Sequence, residues 1–174
     1  MKLVQVCIVA AVMVAIVSAW MEPAKHPDPV PEENPFGIEF DDKDPRVKAI
    51  YIQEDDCTIY YHDLRPTFKS KESEKPPKIT DTVKCHYRGY FNDNGKEKQF
   101  DSSYGRSPLS FGLGRVIKGW QQVLQKMSCG QKWEVHIPAK LAYGKAGAGG
   151  VIPPNKDLYF VIELLEVVRS KSEL

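Results

Sequence analysis

Between residues 45 and 169 short apolar runs alternate with polar breaks, and the period of each run predicts an element. Val47–Ile52 and Cys57–Leu64 are rich in β-branched and aromatic residues and flank Glu54-Asp55-Asp56, which predicts two short strands. Lys69–Lys78 is polar, contains Pro76-Pro77 and reads as an exposed loop. Thr82–Phe91 predicts a further strand. Asn92-Asp93-Asn94-Gly95 then supplies an Asn-Gly pair that adopts positive φ at little cost, so the chain is expected to return as a hairpin over Glu97–Asp101. Ser107–Gly112 is another short strand. The spacing then changes: Val116, Ile117, Trp120, Val123, Leu124 and Met127 recur at i, i+3 and i+4, which predicts an amphipathic helix over Val116–Lys126, ended by Gly130. Lys132–Ile137 alternates as a strand, and Asp157–Val168 places Leu158, Phe160, Ile162 and Leu164 on one face of a long final strand.

A twisted sheet with one apolar face needs a cover, and one helix can supply it. The expected class is therefore α+β: five or six strands, mostly antiparallel, wrapped around one short helix. The strands before residue 65 either extend that sheet or mediate dimerisation.

Outside this region the pattern is different. An apolar run from Leu3 to Val17 follows Lys2 and ends in Val17-Ser18-Ala19, the layout of a secretory signal peptide over residues 1–19. The run is shorter than the roughly 17–25 residues a spanning helix needs, so no stable membrane insertion is expected after its removal. Residues 20–45 hold Pro23, Pro27, Pro29, Pro31, Pro35 and Pro45 among acidic residues and read as a disordered or polyproline-like linker. Residues 46–78 form an extension, 79–169 the main domain and 170–174 a tail. That tail closes on Lys171-Ser172-Glu173-Leu174, similar to a luminal retrieval signal. Together the two ends predict the endoplasmic reticulum lumen, with secretion as the alternative.

Composition removes several function classes. The 174 residues are 42% hydrophobic and 27% charged, with a formal net charge of +1 and both signs mixed, so no basic face for nucleic acid is expected. His26, His62, His86 and His136 have no metal-ligand spacing, and no Cys-x-x-Cys occurs. The glycine stretch Gly144–Gly150 lacks the Gly-Lys-Ser/Thr ending of a phosphate loop, and Ile117 stands where a third glycine would follow Gly112-Leu113-Gly114. Neither metal nor cofactor is expected.

What remains is a set of aromatic residues beside loops. The runs His86-Tyr87-Arg88-Gly89, Gln99-Phe100-Asp101-Ser102-Ser103, Val116-Ile117-Lys118-Gly119-Trp120, Leu141-Ala142-Tyr143-Gly144, Ile152-Pro153-Pro154 and Leu158–Leu165 stand in an order and spacing that closely resembles the FKBP-type peptidyl-prolyl isomerases. The resemblance covers residues 75–168. It implies an apolar cleft between helix and sheet in which Trp120 forms the floor under a proline ring. Phe100 and Phe160 would be the walls, with Tyr87 beside them and Asp101 at the polar edge. The Ile117 N–H and the Tyr143 hydroxyl would meet substrate carbonyls, and Val116, Val151, Ile152 and Leu109 would complete the binding surface. Read by itself, Asp101 could equally cap a turn or pair with Arg106; Phe111 and Trp133 read as packing residues.

The resemblance also implies Pro-containing polypeptides as substrates and macrolides of the rapamycin and tacrolimus type as ligands. Two departures bear on the rim: Leu109 replaces an aromatic wall residue of several members, and the Gly114-Arg115-Val116 segment is shorter than in the best-known small members. The implied function is peptidyl-prolyl cis-trans isomerisation, with a Pro-peptide binding module or secreted factor of little turnover as the alternative. Luminal members can tie the segment before the domain to the loop after the helix, which makes Cys57 and Cys129 the candidate disulfide. Cys57–Cys85, or three thiols, stay open.

Overall fold

The computed structural model describes residues 45–65 and 75–169. The expected signal peptide, the linker as far as residue 44 and the retrieval-like tail lie outside the described residues. Among the described residues seven strands form one antiparallel sheet: β1 (Val47–Ile52), β2 (Cys57–Asp63), β3 (Thr82–Asp93), β4 (Lys96–Ser102), β5 (Leu109–Gly112), β6 (Lys132–Ile137) and β7 (Leu158–Val168). Their order is β1-β2-β6-β7-β3-β4, with β5 beside the first half of β3 and β4 beside its second half. One helix, α1 (Lys118–Leu124), covers a face. The fold is thus the expected α+β arrangement. The count exceeds five or six because β1 and β2 join the sheet: Tyr60, Tyr61, His62 and Asp63 pair with β6, so these strands extend it.

The β3–β4 hairpin turns where Asn-Gly predicts, with Asn94 and Gly95 both at positive φ (54° and 83°). The helix is shorter than its apolar spacing suggests. Val116 and Ile117 are extended, with ψ of 171° and 149°, and lead into α1 from a 3-10 turn at Leu113–Arg115. Neither residue is an N-capping type, and side-chain spacing reports a common face, not where the backbone starts to coil. At the other end Lys126 and Met127 donate to Val123 and Leu124 at 2.9 and 3.1 Å, a tightened last turn that stops the helix. Gly130 therefore does not end the helix; it sits in the following turn, where Gln131 N–H bonds to the Ser128 carbonyl at 3.1 Å.

The core lies between α1 and the inner face of the sheet. Val123, Leu124 and Met127 meet Val83, Val135, Ile137, Ile162 and Leu164, all fully buried. At Gly119 a Cβ would stand 2.3 Å from an Ile137 methyl, so only glycine lets the first turn of α1 come this close to β6. That approach sets the depth of the next residue, Trp120. The expected exposed loop, where it is described, carries an exception: Pro77 is buried, while the Pro76 carbonyl accepts from Arg169 at 3.2 Å.

Candidate functional site

The inner face of the sheet gathers rings around Trp120. Tyr87 and Phe160, from the neighbouring strands β3 and β7, present their edges or faces to it at ring-centre distances of 5.3 Å each, with interplanar angles of 83° and 84°. Phe111 of β5 does the same at 5.6 Å and 83°. Edge-to-face contacts suit the ring quadrupoles and add about 0.5–1.5 kcal/mol each beyond burial. Phe100 extends the set, meeting Phe160 at 5.6 Å and 85°. This meeting depends on Gly89, where a Cβ would stand 2.6 Å from the Phe100 ring and 2.9 Å from that of Phe160.

Burial grades outward. Trp120, Tyr87, Phe160 and Ile152 are buried, whereas Phe100, Leu109, Phe111, Val116, Ile117 and Tyr143 pack on them half-exposed. The Trp120 indole Nε1 is buried and has no hydrogen-bond acceptor among the described residues. A buried donor without a partner is costly, so the floor of this ring set carries one polar demand that the described protein does not meet.

One edge of the set is polar. The Tyr87 hydroxyl donates to one oxygen of Asp101, while the other oxygen accepts from Arg106 Nη2 at 2.9 Å and from the Ser102 N–H at 2.8 Å. Asp101 thus pairs with Arg106 and accepts from the Ser102 N–H while also bonding the Tyr87 ring's hydroxyl. Burial first, and the bond to Asp101 second, push the Tyr87 hydroxyl well above the ordinary tyrosine range. Burial and the Asp101 charge raise Tyr143 in the same direction. Both hydroxyls therefore stay protonated at neutral pH and can donate.

The opposite rim is built from the lead-in to α1 and the loop after β6. No side chain caps α1, and Gln121 Nε2 instead holds the Val116 carbonyl at 2.8 Å. Tyr143 stands between two 3-10 turns, Ala139–Leu141 and Gly144–Ala146. The loop beyond is closed on itself: Ala148 and Ile152 exchange backbone hydrogen bonds at 2.9 and 3.0 Å, and Asn155 N–H reaches the Gly144 carbonyl at 2.8 Å. Val151, half-buried, is tied to the Ala148 carbonyl at 2.9 Å and lies outside the packed cluster, unlike the other apolar residues the sequence predicts for the site.

Two expectations change. Phe111, read as packing, is one of three rings on Trp120. The period of two places Phe111 on the strand face of Leu109, but four residues are too few to tell a wall from packing. The candidate disulfide Cys57–Cys129 is not formed, and none of Cys57, Cys85 and Cys129 is in a disulfide. Cys57 opens β2 among Asp55, Lys140 and Lys118, near the start of α1. Cys129 instead follows α1 and precedes Gly130, whose N–H bonds to Leu164, the residue paired with Cys85. Burial first, and then the nearby Cys129, push the Cys85 thiol up to about 12.

One helix closes the sheet over a ring-floored, half-exposed apolar patch. The family model described as FKBP-type peptidyl-prolyl cis-trans isomerase matches residues 73–165, more than half the chain, and the chain belongs to that family. It is 51% identical over 90 residues to peptidyl-prolyl cis-trans isomerase FPR2 of Saccharomyces cerevisiae, a match covering 50% of this chain and 65% of that protein. FK506-binding protein 2 of Candida glabrata is 50% identical over 93 residues, covering 52% and 67%. The match thus spans about two thirds of these relatives. Among solved structures, a peptidyl-prolyl cis-trans isomerase from Pseudomonas syringae pv. tomato superposes with a TM-score of 0.59 at 34% identity, covering 73% of this chain and 84% of that one.

Proposed function

We propose that the chain catalyses cis/trans rotation about X-Pro bonds in other polypeptides, and that the ring set around Trp120 is the site. The observation that carries this reading is the combination at that site of a buried indole floor with half-exposed Phe100, Val116, Ile117 and Tyr143 around it. A pyrrolidine ring would rest on Trp120 between Phe100 and Phe160, with Tyr87, Ile152 and Leu109 as further apolar contacts and Val151 on the outer loop. The Ile117 N–H and the Tyr143 hydroxyl would bond carbonyls of the flanking chain, and Asp101 would hold the polar edge through Tyr87.

Such a site can catalyse without a nucleophile. Amide resonance sets a rotation barrier of roughly 18–20 kcal/mol, and uncatalysed X-Pro exchange takes roughly tens to hundreds of seconds. In the twisted transition state the resonance is lost and the carbonyl is less polar, so water favours the planar ground state more. Transfer to an apolar surface removes that preference, and donors that hold the flanking chain in a turn add stabilisation specific to the twisted geometry. The Tyr143 hydroxyl suits this role, since it keeps its proton across the neutral range, whereas the Tyr87 proton is already given to Asp101.

The relatives' printed names point to FK506 as a ligand class, and we extend that to macrolides of this type for this chain. The domain boundary near residue 79, with 46–78 as an extension, belongs to the same proposal, as does a place in the secretory pathway. The apolar run Leu3–Val17 supports that pathway, and Lys171-Ser172-Glu173-Leu174 supports retention in the endoplasmic reticulum lumen. No helix among the described residues is long and apolar enough to cross a membrane.

The test is a protease-coupled or NMR-exchange measurement on a Pro-containing peptide, with and without a macrolide. Catalysed exchange that the macrolide blocks is expected; binding without acceleration would select the Pro-peptide binding module instead. Deleting the last four residues should move a tagged chain from the lumen to the medium, and an unchanged distribution would remove the retention reading.

A further inference from the structure

One buried residue lies behind both groups that grip Asp101. The Asp101 carboxylate is held from two sides, by the Tyr87 hydroxyl on one oxygen and by Arg106 Nη2, at 2.9 Å, on the other. Neither group is local to Asp101 in the strand, so each needs its own backbone fixed. Ser103, fully buried, fixes both. Its hydroxyl accepts the Tyr87 N–H at 2.8 Å, and its own N–H donates to the Tyr87 carbonyl at 2.8 Å. Its carbonyl accepts the Arg106 N–H at 3.0 Å.

The Ser103 hydroxyl has one proton to place. It lies 3.0 Å from His86 Nδ1 and 3.3 Å from the Tyr87 carbonyl. His86 is itself 2% exposed and stacks on Tyr104 at 5.3 Å and 14°. Adjacent strand residues point to opposite faces, so His86 lies on the outer face of the sheet and Tyr87 on the inner. Ser103 therefore connects a buried outer-face imidazole to the backbone of a ring in the proposed site.

We propose that Ser103, backed by His86, is a positioning residue of the isomerase site: its hydroxyl holds the Tyr87 backbone so that the Tyr87 arm meets the Asp101 carboxylate, while its main-chain carbonyl holds Arg106. This rests on the functional reading above. Ser103 touches no reacting atom; it acts through Tyr87 and Arg106. A hydroxyl is required because the group must accept from Tyr87 N–H and donate at the same time, which alanine cannot do.

The test is a double-mutant cycle on the full chain. Ser103→Ala is expected to lower kcat/KM roughly three- to tenfold, within the range of coupling between neighbouring groups. In a Tyr87→Phe background, where the hydroxyl arm is already gone, the same change should cost no more than about twofold. Equal losses in both backgrounds, or full activity in folded Ser103→Ala, overturn the proposal. If Ser103→Ala does not fold, His86→Leu and His86→Asn carry the test, because asparagine keeps an acceptor beside the hydroxyl. Leucine should lose activity and asparagine recover it; equal behaviour of the two refutes the proposal.

NMR of the ligand-free protein separates this from failure of the functional reading. The Asp101 carboxyl and Tyr87 ring signals should shift in Ser103→Ala whether or not the wild type turns over peptide. Unmoved signals would sink the clamp by themselves, whereas an inactive wild type with moved signals would sink only the isomerase reading.

Discussion

The two faces of the sheet carry similar side chains in opposite arrangements. On the inner face the rings around Trp120 meet edge to face, several half-exposed, and the indole N–H has no acceptor among the described residues. On the outer face an aromatic ladder crosses four strands by stacked and tilted contacts: Tyr60 to His136 at 6.3 Å, His136 to Tyr159 at 4.9 Å, and Tyr159 to Tyr90 at 5.3 Å. At its Tyr90 end the polar groups are met within the sheet. The Tyr90 hydroxyl donates to Glu134 at 2.5 Å, Arg88 lies 4.9 Å over the Tyr90 ring and pairs with Glu97, and Arg88 Nε reaches Gln99 at 2.9 Å. Desolvation there raises the Glu134 carboxyl, partly opposed by Tyr90 and Arg88. Aromatic content alone therefore does not mark a site. The outer ladder uses its ring faces on itself and ties its Tyr90 tip to Glu134; the inner set leaves ring surface and donors toward its half-exposed rim.

Substitutions on the two faces should separate these roles. Trp120→Ala removes the point where three rings meet and should have the largest effect, destabilising by about 3–5 kcal/mol in urea unfolding and abolishing measurable isomerisation. Phe100→Ala trims a half-exposed wall and should lower kcat/KM by roughly tenfold, or about 1.4 kcal/mol of transition-state stabilisation, with a smaller change in stability. Unchanged turnover by folded Phe100→Ala would remove the distinction between the faces. On the outer face Tyr90→Phe should do the reverse, costing about 1–3 kcal/mol of stability because Glu134 is left buried without its donor, while kcat/KM stays within about twofold. Tyr143→Phe deletes one donor and should lower kcat/KM by roughly two- to fivefold at unchanged midpoint of unfolding.

The smallest effect is a pH dependence. The Cys85 thiol is held neutral, raised from 9.0 to about 12 by burial and by Cys129. Unfolding frees it to ionise, so its contribution is fully present below pH 9 and is lost as pH rises from 9 toward 12. Thermal unfolding of Cys85→Val should show a shallower loss of stability between pH 9 and 10 than the wild type, the tyrosine contribution being common to both proteins. Identical slopes would show that Cys85 is already as shielded in the unfolded chain.

Much of this architecture was legible locally. The strand periods, the Asn94-Gly95 turn and the Leu158-Phe160-Ile162-Leu164 face need only neighbours along the chain, and the inner face forms as that alternation requires. The start of α1 was less legible because Val116 and Ile117 share its apolar spacing yet stay extended. Phe111 was passed over because a four-residue strand shows too little alternation to separate wall from packing. The thiols were misplaced for a different reason: spacing along the chain says nothing of the end of the helix at which Cys57 or Cys129 will lie.

The amino-acid order by itself determined the elements, the single helix over an antiparallel sheet and the family resemblance, because each follows from side-chain period or from a motif in register. Tertiary structure alone decided that β1 and β2 join the sheet, that Phe111 completes the ring set, that Cys129 lies near Cys85 and that Ser103 stands behind both arms on Asp101. These are contacts between residues far apart in sequence or on different strands. They depend on strand order and register, which no local pattern encodes.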